Sequence, residues 1–145
     1  MLLLLVNRVT MNLQRFGVSI ENELLTSFDA LIKKKYYTNR SEAIRDLIRK
    51  EIIETEIKDE ECDVIGTLTI LYDHHEGNVT DRLLHLQHDH HEEISFTTHI
   101  HVDDRMCLEI VVIRGTSKNV NKLAENVKAL KGVKHGQLAI TKIIP

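Results

Sequence analysis

Thr97-Thr98-His99-Ile100-His101-Val102-Asp103-Asp104-Arg105-Met106-Cys107-Leu108-Glu109 is the stretch on which the fold and the chemistry both turn. Ile100, Val102, Leu108, Ile110 and Val112 alternate with polar residues on either side of an Asp-Asp step, the pattern of two half-buried strands joined by a tight turn. Residues i and i+2 of a strand share a face, so His99 and His101 project together. A three-residue turn (103–105) opposes His101 to Cys107 and sets the thiol beside both imidazoles. A two-residue turn opposes Cys107 to Ile100 instead. The apolar pattern favours the first. Two imidazoles and a thiol are donors for nickel, copper or zinc and poor ones for magnesium or calcium. A His-x-His on a solvated strand and a buried thiol would be the unremarkable alternative.

Working outward, the second half reads β-α-β-β-α-β. Residues 64–72 form a strand, and 79–88 a helix carrying Leu83, Leu84 and Leu86. The hairpin follows. Val120, Leu123, Ala124, Val127 and Leu130 mark a second helix stopped at Gly132, and 136–143 a last strand. That order is the split βαβ, or ferredoxin-like, motif. Both helices are expected to cover the sheet face that receives Ile100, Leu108 and Ile110. His99, His101 and Cys107 would then lie on the uncovered face, against a second subunit.

The first half is smaller. In residues 14–20, Arg15, Gly17 and Ser19 alternate with Phe16, Val18 and Ile20, as in an amphipathic strand. Leu24, Leu25, Phe28, Leu31 and Ile32 recur at helical spacing. Asn39-Arg40-Ser41-Glu42 reads as a capping box opening a second helix with Ile44, Leu47, Ile48 and Ile52 on one side. Lys58-Asp59-Glu60-Glu61 is a charged hinge. A strand and two helices are too few to bury a core alone, so the unit must pair its strand with a second copy. This is the ribbon-helix-helix arrangement, whose two-stranded ribbon reads the major groove of double-stranded DNA. Arg15, Gly17 and Ser19 would face the bases. Asn39, Arg40 and Ser41, at the start of the second helix, would meet a phosphate. The predicted class is α+β: a ribbon-helix-helix domain over 11–58, then a ferredoxin-like domain over 63–144.

Charge and composition narrow the function. The net charge is −3, which excludes a globally basic nucleic-acid binder. Residues 1–58 carry 10 Lys/Arg against 8 Asp/Glu, and residues 59–145 carry 9 against 14, so any DNA surface is a local patch in the first half. Two cysteines, Cys62 and Cys107, make no disulfide framework and point to a reducing cytoplasm. Residues 2–6 are apolar but too few to span a membrane, and they lack a signal peptide's basic start. Met11 reads as a better beginning, with residues 1–10 an extension. His74, His75 and His85 read as surface residues or else auxiliary sites, and His135 as structural, while His88, His90 and His91 share one helix end and any of these imidazoles could compete for a metal.

The chain from about residue 11 to 144 resembles the nickel-responsive regulators, which join a ribbon-helix-helix domain to a ferredoxin-like (ACT-type) metal domain. The resemblance is carried by Asn39-Arg40-Ser41-Glu42-Ala43-Ile44-Arg45-Asp46, Gln87-His88, His99-Ile100-His101, Cys107-Leu108-Glu109 and Gly132-Val133-Lys134-His135-Gly136. It implies one Ni2+ per subunit held in a plane by His99, His101, Cys107 and, from a neighbouring subunit, His88. It implies Gln87 and Glu109 as supporting residues and a possible second cation at Glu42 and Asp46. It further implies a cytoplasmic homotetramer (a dimer of dimers) that represses nickel-uptake genes, and no enzymatic activity. Where family members commonly carry Arg, Thr, Thr on the DNA-facing strand, this chain has Arg15, Gly17, Ser19. The competing reading is a ribbon-helix-helix regulator that senses an amino acid or another transition metal through the same ACT-like domain. An antitoxin fits less well, because 63–144 reads as a folded domain. A zinc hydrolase could use Glu109 as base, but no nucleophile clusters with it.

Overall fold

The computed structural model describes residues 13–144. The apolar run at 2–6 and the alternative start at Met11 lie outside the described residues. The chain divides into two compact units that meet between Ala43 and Ile44.

In the first unit, helix α1 (Asn22–Lys34) is stopped by Tyr36, whose φ of 62° is left-handed. The Tyr37 N–H reaches back to the Ile32 carbonyl at 3.0 Å and the Tyr36 N–H to Lys33 at 3.1 Å, the paired bonds of a Schellman ending. Helix α2 (Arg40–Glu56) begins as its sequence demands: the Asn39 side-chain oxygen accepts the Glu42 N–H at 2.9 Å. The capping box is only half made. The Glu42 carboxylate accepts the Thr38 hydroxyl at 2.8 Å instead of the Asn39 N–H. The expected strand at 14–20 takes no place in a ladder, and Phe16 and Val18 are exposed. A strand exists only through a neighbour's hydrogen bonds, and none of the described segments of this chain supplies them.

The second unit follows the βαββαβ order. Strand β1 (Asp63–Asp73) is followed by α3 (Val79–Asp89), β2 (Ile94–His101), β3 (Met106–Thr116), α4 (Ser117–Lys128) and β4 (Val133–Thr141). The four strands form one antiparallel sheet in the order β2-β3-β1-β4. The last strand begins at Val133, three residues before the expected start, because Gly132 turns the chain at φ 104° directly after α4. The Gly132 carbonyl accepts the Asp73 N–H at 2.9 Å. All of α2 after its first turn belongs to this unit, with Lys142 bonded to Glu56 and the Ser117 hydroxyl to the Ile57 carbonyl at 2.8 Å.

The core lies between the sheet and its helices. Val64, Leu68, Ile70 and Tyr72 of β1, and Cys107, Val111 and Ile113 of β3, pack with Val79 and Leu83 of α3 and Val120, Leu123 and Val127 of α4. This corrects the expected face. The helices cover the side bearing Cys107 and Glu109, while Phe96, Ile100 and Val102 are exposed on the other side and Leu108 and Ile110 are half-buried there. The apolar alternation misled because β3 is apolar on both sides. Its parity is fixed by β1, where Tyr72 pairs with Cys107, Ile70 with Glu109 and Leu68 with Val111.

Gly66 marks a close approach of α4 to the sheet. A Cβ there would stand 2.6 Å from Val120 Cγ1 and 3.0 Å from Leu138 Cδ1. Valine has one stiff χ1 and cannot swing aside. Gly66→Val is therefore expected to destabilise the second unit by about 1–3 kcal/mol, read as a lower urea midpoint at constant slope. An unchanged midpoint would show that α4 is not held at this distance.

Candidate metal centre

Three strands' ends meet at the site. The β2–β3 turn has three residues, as Asp103 requires: its Oδ1 accepts the Arg105 N–H at 2.8 Å and the Met106 N–H at 2.7 Å. The Val102 N–H closes the hairpin on the Met106 carbonyl at 2.8 Å. His101 consequently pairs with Cys107 and His99 with Glu109. The Cys107 sulfur lies 3.2 Å from His101 Nδ1, and the His99 and His101 ring centres are 5.5 Å apart. Cys107 is 2% exposed, while both histidines are exposed. The thiol thus forms the floor of a recess of about 370 Å³ with imidazoles at its rim.

A further donor comes from a residue expected to be surface. His74, just beyond β1, places Nδ1 at 3.6 Å from the Cys107 sulfur. His74, His101 and Cys107 bring one ligand atom each to within 4.8 Å of one another, and they form the metal-competent set found among the described residues. Composition and spacing could not find His74. Its place follows only once β1 is known to pair with β3, which puts the residue after Asp73 beside the turn.

His99 is not in that set, and neither is His88. His88 is exposed near the end of α3, its ring 6.5 Å from that of His91. Its helix packs on the same side of the sheet as Cys107, so the expectation that α3 and the donors occupy opposite sides does not hold. Three other histidines have local ties. His85 Nδ1 lies 2.7 Å from the Asp81 carbonyl, His90 Nδ1 2.6 Å from a Glu93 carboxylate oxygen, and His91 Nδ1 3.1 Å from the His88 carbonyl.

Gln87 and Glu109 find each other. The Gln87 amide donates to Glu109 Oε1, and the Tyr72 hydroxyl donates to Oε2 at 3.3 Å. Glu109 is buried under the helices, where a carboxylate without donors would be costly. Burial, and then the Glu109 charge, push the Tyr72 phenol well above its ordinary range, so it remains a proton donor to that carboxylate. Glu109 pairs in register with His99, yet both its oxygens are engaged by Tyr72 and Gln87.

The first unit's candidates are spread over two places. Arg15, Gly17 and Ser19 are exposed on the segment before α1. At the start of α2, Asn39 is spent on its capping bond. Arg40 Nε and Nη2 each donate to an Asp29 carboxylate oxygen at 2.7 Å, and these bonds hold the Asp29 carboxyl below its usual range. Glu42 accepts from Thr38, and Asp46 pairs with Arg49 at 2.9 Å, so neither carboxylate of the suggested second cation pair is idle. A larger recess of about 930 Å³ lies near the hinge. It brings together one thiol and one ammonium, Cys62 and Lys142, 3.4 Å apart. No helix among the described residues is long and apolar enough to cross a membrane.

Two family models match the chain. One is the "NikR C terminal nickel binding domain", over residues 65–141. The other is "Ribbon-helix-helix protein, copG family", over residues 14–55. Curated relatives cover nearly the whole length. A protein named "Putative nickel-responsive regulator" from Geobacter sulfurreducens is 50% identical over 88% of this chain and 91% of its own. Proteins of the same name from Pyrococcus furiosus (50% identical, covering 90% and 95%) and Geobacter metallireducens (47%, covering 88% and 91%) are similar.

Removing the Gln87 amide leaves one oxygen of a buried carboxylate without its donor. Gln87→Ala is expected to cost about 1–3 kcal/mol, measured by chemical denaturation of the metal-free protein. A neutral effect would mean that water or another donor replaces the amide.

Proposed function

The chain belongs to the nickel-responsive regulators, a family joining a ribbon-helix-helix DNA-binding domain to a nickel-binding domain, and from that premise we propose that it is a nickel-dependent transcriptional regulator that represses nickel-uptake genes when nickel is bound. The observation that carries the reading is the register of the hairpin. It sets the Cys107 sulfur and His101 Nδ1 3.2 Å apart, inside the segment matched by the nickel-binding model and on the same chain as the ribbon-helix-helix match.

The donor chemistry fits the ion. A thiolate with imidazoles suits nickel and disfavours magnesium and calcium. In this reading His99, His101 and Cys107 hold nickel with His88 of the partner subunit, one ion per subunit. His88 has the family's spacing, eleven residues before His99. The exposed apolar side of the sheet, with Phe96, Ile100 and Val102, supports assembly into a homotetramer, because monomers rarely leave such a surface bare. Arg15, Gly17 and Ser19 read the bases, and Asn39, Arg40 and Ser41 approach a phosphate at the α2 N-terminus. The functional domains are 11–58 and 63–144, and the working place is the cytoplasm.

Nickel, when bound, supplies a link between subunits. Linkage requires it to bind the DNA-competent arrangement more tightly than any other. Cys107 must lose its proton to serve, so nickel affinity rises with pH.

Cys107→Ser is expected to keep the fold and lose both tight nickel binding and nickel-dependent DNA binding. Arg15→Ala is expected to keep nickel binding and lose about 1–3 kcal/mol of sequence-specific DNA affinity, measured on duplexes selected by the native protein. Undiminished nickel affinity in the first variant would falsify the ligand assignment, and wild-type DNA affinity in the second would sink the ribbon face.

The subunit origin of His88 has its own test. His88→Ala and Cys107→Ala proteins, each inactive alone, are mixed and allowed to exchange subunits. Partial recovery of tight nickel binding is expected, because some sites then combine an intact His88 with an intact Cys107. No recovery despite demonstrated exchange means that all four ligands come from one chain.

A further inference from the structure

Asp73 is a carboxylate buried to 4% exposure at the end of β1, and it takes no part in the donor set. Buried carboxylates are costly unless fully bonded, and this one is. Its Oδ1 accepts the His75 N–H at 3.0 Å. Its Oδ2 accepts Arg105 Nε at 3.1 Å and Nη2 at 2.6 Å. The His75 N–H, then Arg105, hold its carboxyl below the usual range, so the charge is present at neutral pH.

Arg105 is the last residue of the β2–β3 turn and is held from three directions. Its guanidinium meets Asp73, its carbonyl accepts the His74 N–H at 3.0 Å, and its own N–H donates to Asp103. The guanidinium is otherwise exposed, with side-chain exposure of 69%. It has no packing reason to lie across the end of β1.

We propose that Asp73 is a positioning residue for the metal centre, acting through Arg105 to lock the three-residue turn that places Cys107 opposite His101. The hairpin sequence admits a second register, with a two-residue turn and Cys107 opposite Ile100. A one-residue slip carries a side chain to the other face of the sheet, and that would remove the thiol from the imidazoles. Asp103 alone shapes the turn locally. Asp73 anchors it to a different strand, so the register is tied to the fold. The same clamp fixes His74, which follows Asp73 directly and lies 3.6 Å from the Cys107 sulfur.

This inference rests on the reading of His99, His101 and Cys107 as nickel ligands. The test uses the full chain and nickel alone, with affinity by competition and the Ni–thiolate absorption band as a second readout. Asp73→Asn and Arg105→Ala should each weaken nickel binding about 10–100-fold, the usual loss when a residue supporting a ligand is removed, and should displace the band. The double variant should be no weaker than the weaker single one, because the two act as one device. Arg105→Lys should recover part of the loss, as a point charge without the planar fork. If Asp73→Asn does not fold, the exposed Arg105 variants decide alone. Wild-type affinity and an unmoved band in Arg105→Ala overturn the proposal, as do losses that multiply in the double variant. Cys107→Ser separates the two levels. Nickel affinity that survives it removes the ligand reading and this inference together. Affinity lost there but kept in Arg105→Ala removes the clamp only.

Discussion

Antiparallel pairing of β1 with β3, with Tyr72 opposite Cys107, is the constraint from which the rest of the second unit follows. Strand β3 carries apolar residues on both sides, so nothing in it decides which side takes the helices. Strand β1 decides. Its Val64, Leu68, Ile70 and Tyr72 are buried while Thr67 is exposed, and each ladder pair transmits that choice to the facing residue on β3. Cys107 and Glu109 are thereby placed under the helices, and pairing with β2 brings His101 and His99 to the same side. The consequence is chemical as well as topological. The thiol sits where water is scarce, and His99 and His101 sit where solvent reaches.

A polar residue on the core side of a central strand must be satisfied, and Glu109 shows how it is done. Tyr72 reaches it from the adjacent strand and Gln87 from the helix above. The carboxylate thus links β1, β3 and α3 next to the donor set. It is better understood as a strut than as a base. Both its oxygens are occupied, and its nearest strand neighbour on the metal side, His99, is matched to it by register alone. That argues against a hydrolytic role, which needs a carboxylate positioned to take a proton from a reacting group.

Much of this was legible in the sequence. Helical spacing gave four helices, the Asn39 cap gave the start of α2, and the apolar alternation gave a three-residue turn that opposed His101 to Cys107 as observed, although the side it took for the core is the open one. What could not be read depends on which strands become neighbours. The covered side of the sheet was misassigned because Leu108, Ile110 and Val112 alternate as convincingly as Val111 and Ile113. His74 was missed because a histidine after a strand looks like surface until the adjacent strand is known. The strand at 14–20 was expected to pair with a second copy of the chain, a neighbour that one chain does not supply. Glu42 met one half of the capping box because the Thr38 hydroxyl competes for its carboxylate.

Three features of the chain are incomplete in the same sense. The segment before α1 has an apolar side in Phe16 and Val18 with no sheet to join, the open side of the second unit's sheet exposes Phe96, Ile100 and Val102, and His88 stands apart from donors that match it in kind. Each deficit is of a type that a further copy of the chain can repair: a second strand for a ribbon, an apolar surface for an apolar surface, an imidazole for an open ligand position. In the proposed regulator these repairs are coupled. An ion shared between subunits contributes free energy only when the subunits are in place, and placing them sets the distance between ribbons. DNA spacing can therefore respond to nickel without any ribbon touching the metal. Such coupling needs donors that are preorganised but insufficient within one subunit. A buried thiol in fixed register with exposed imidazoles meets that requirement: the rigid floor sets the geometry, and the open rim leaves room for the ligand that completes it.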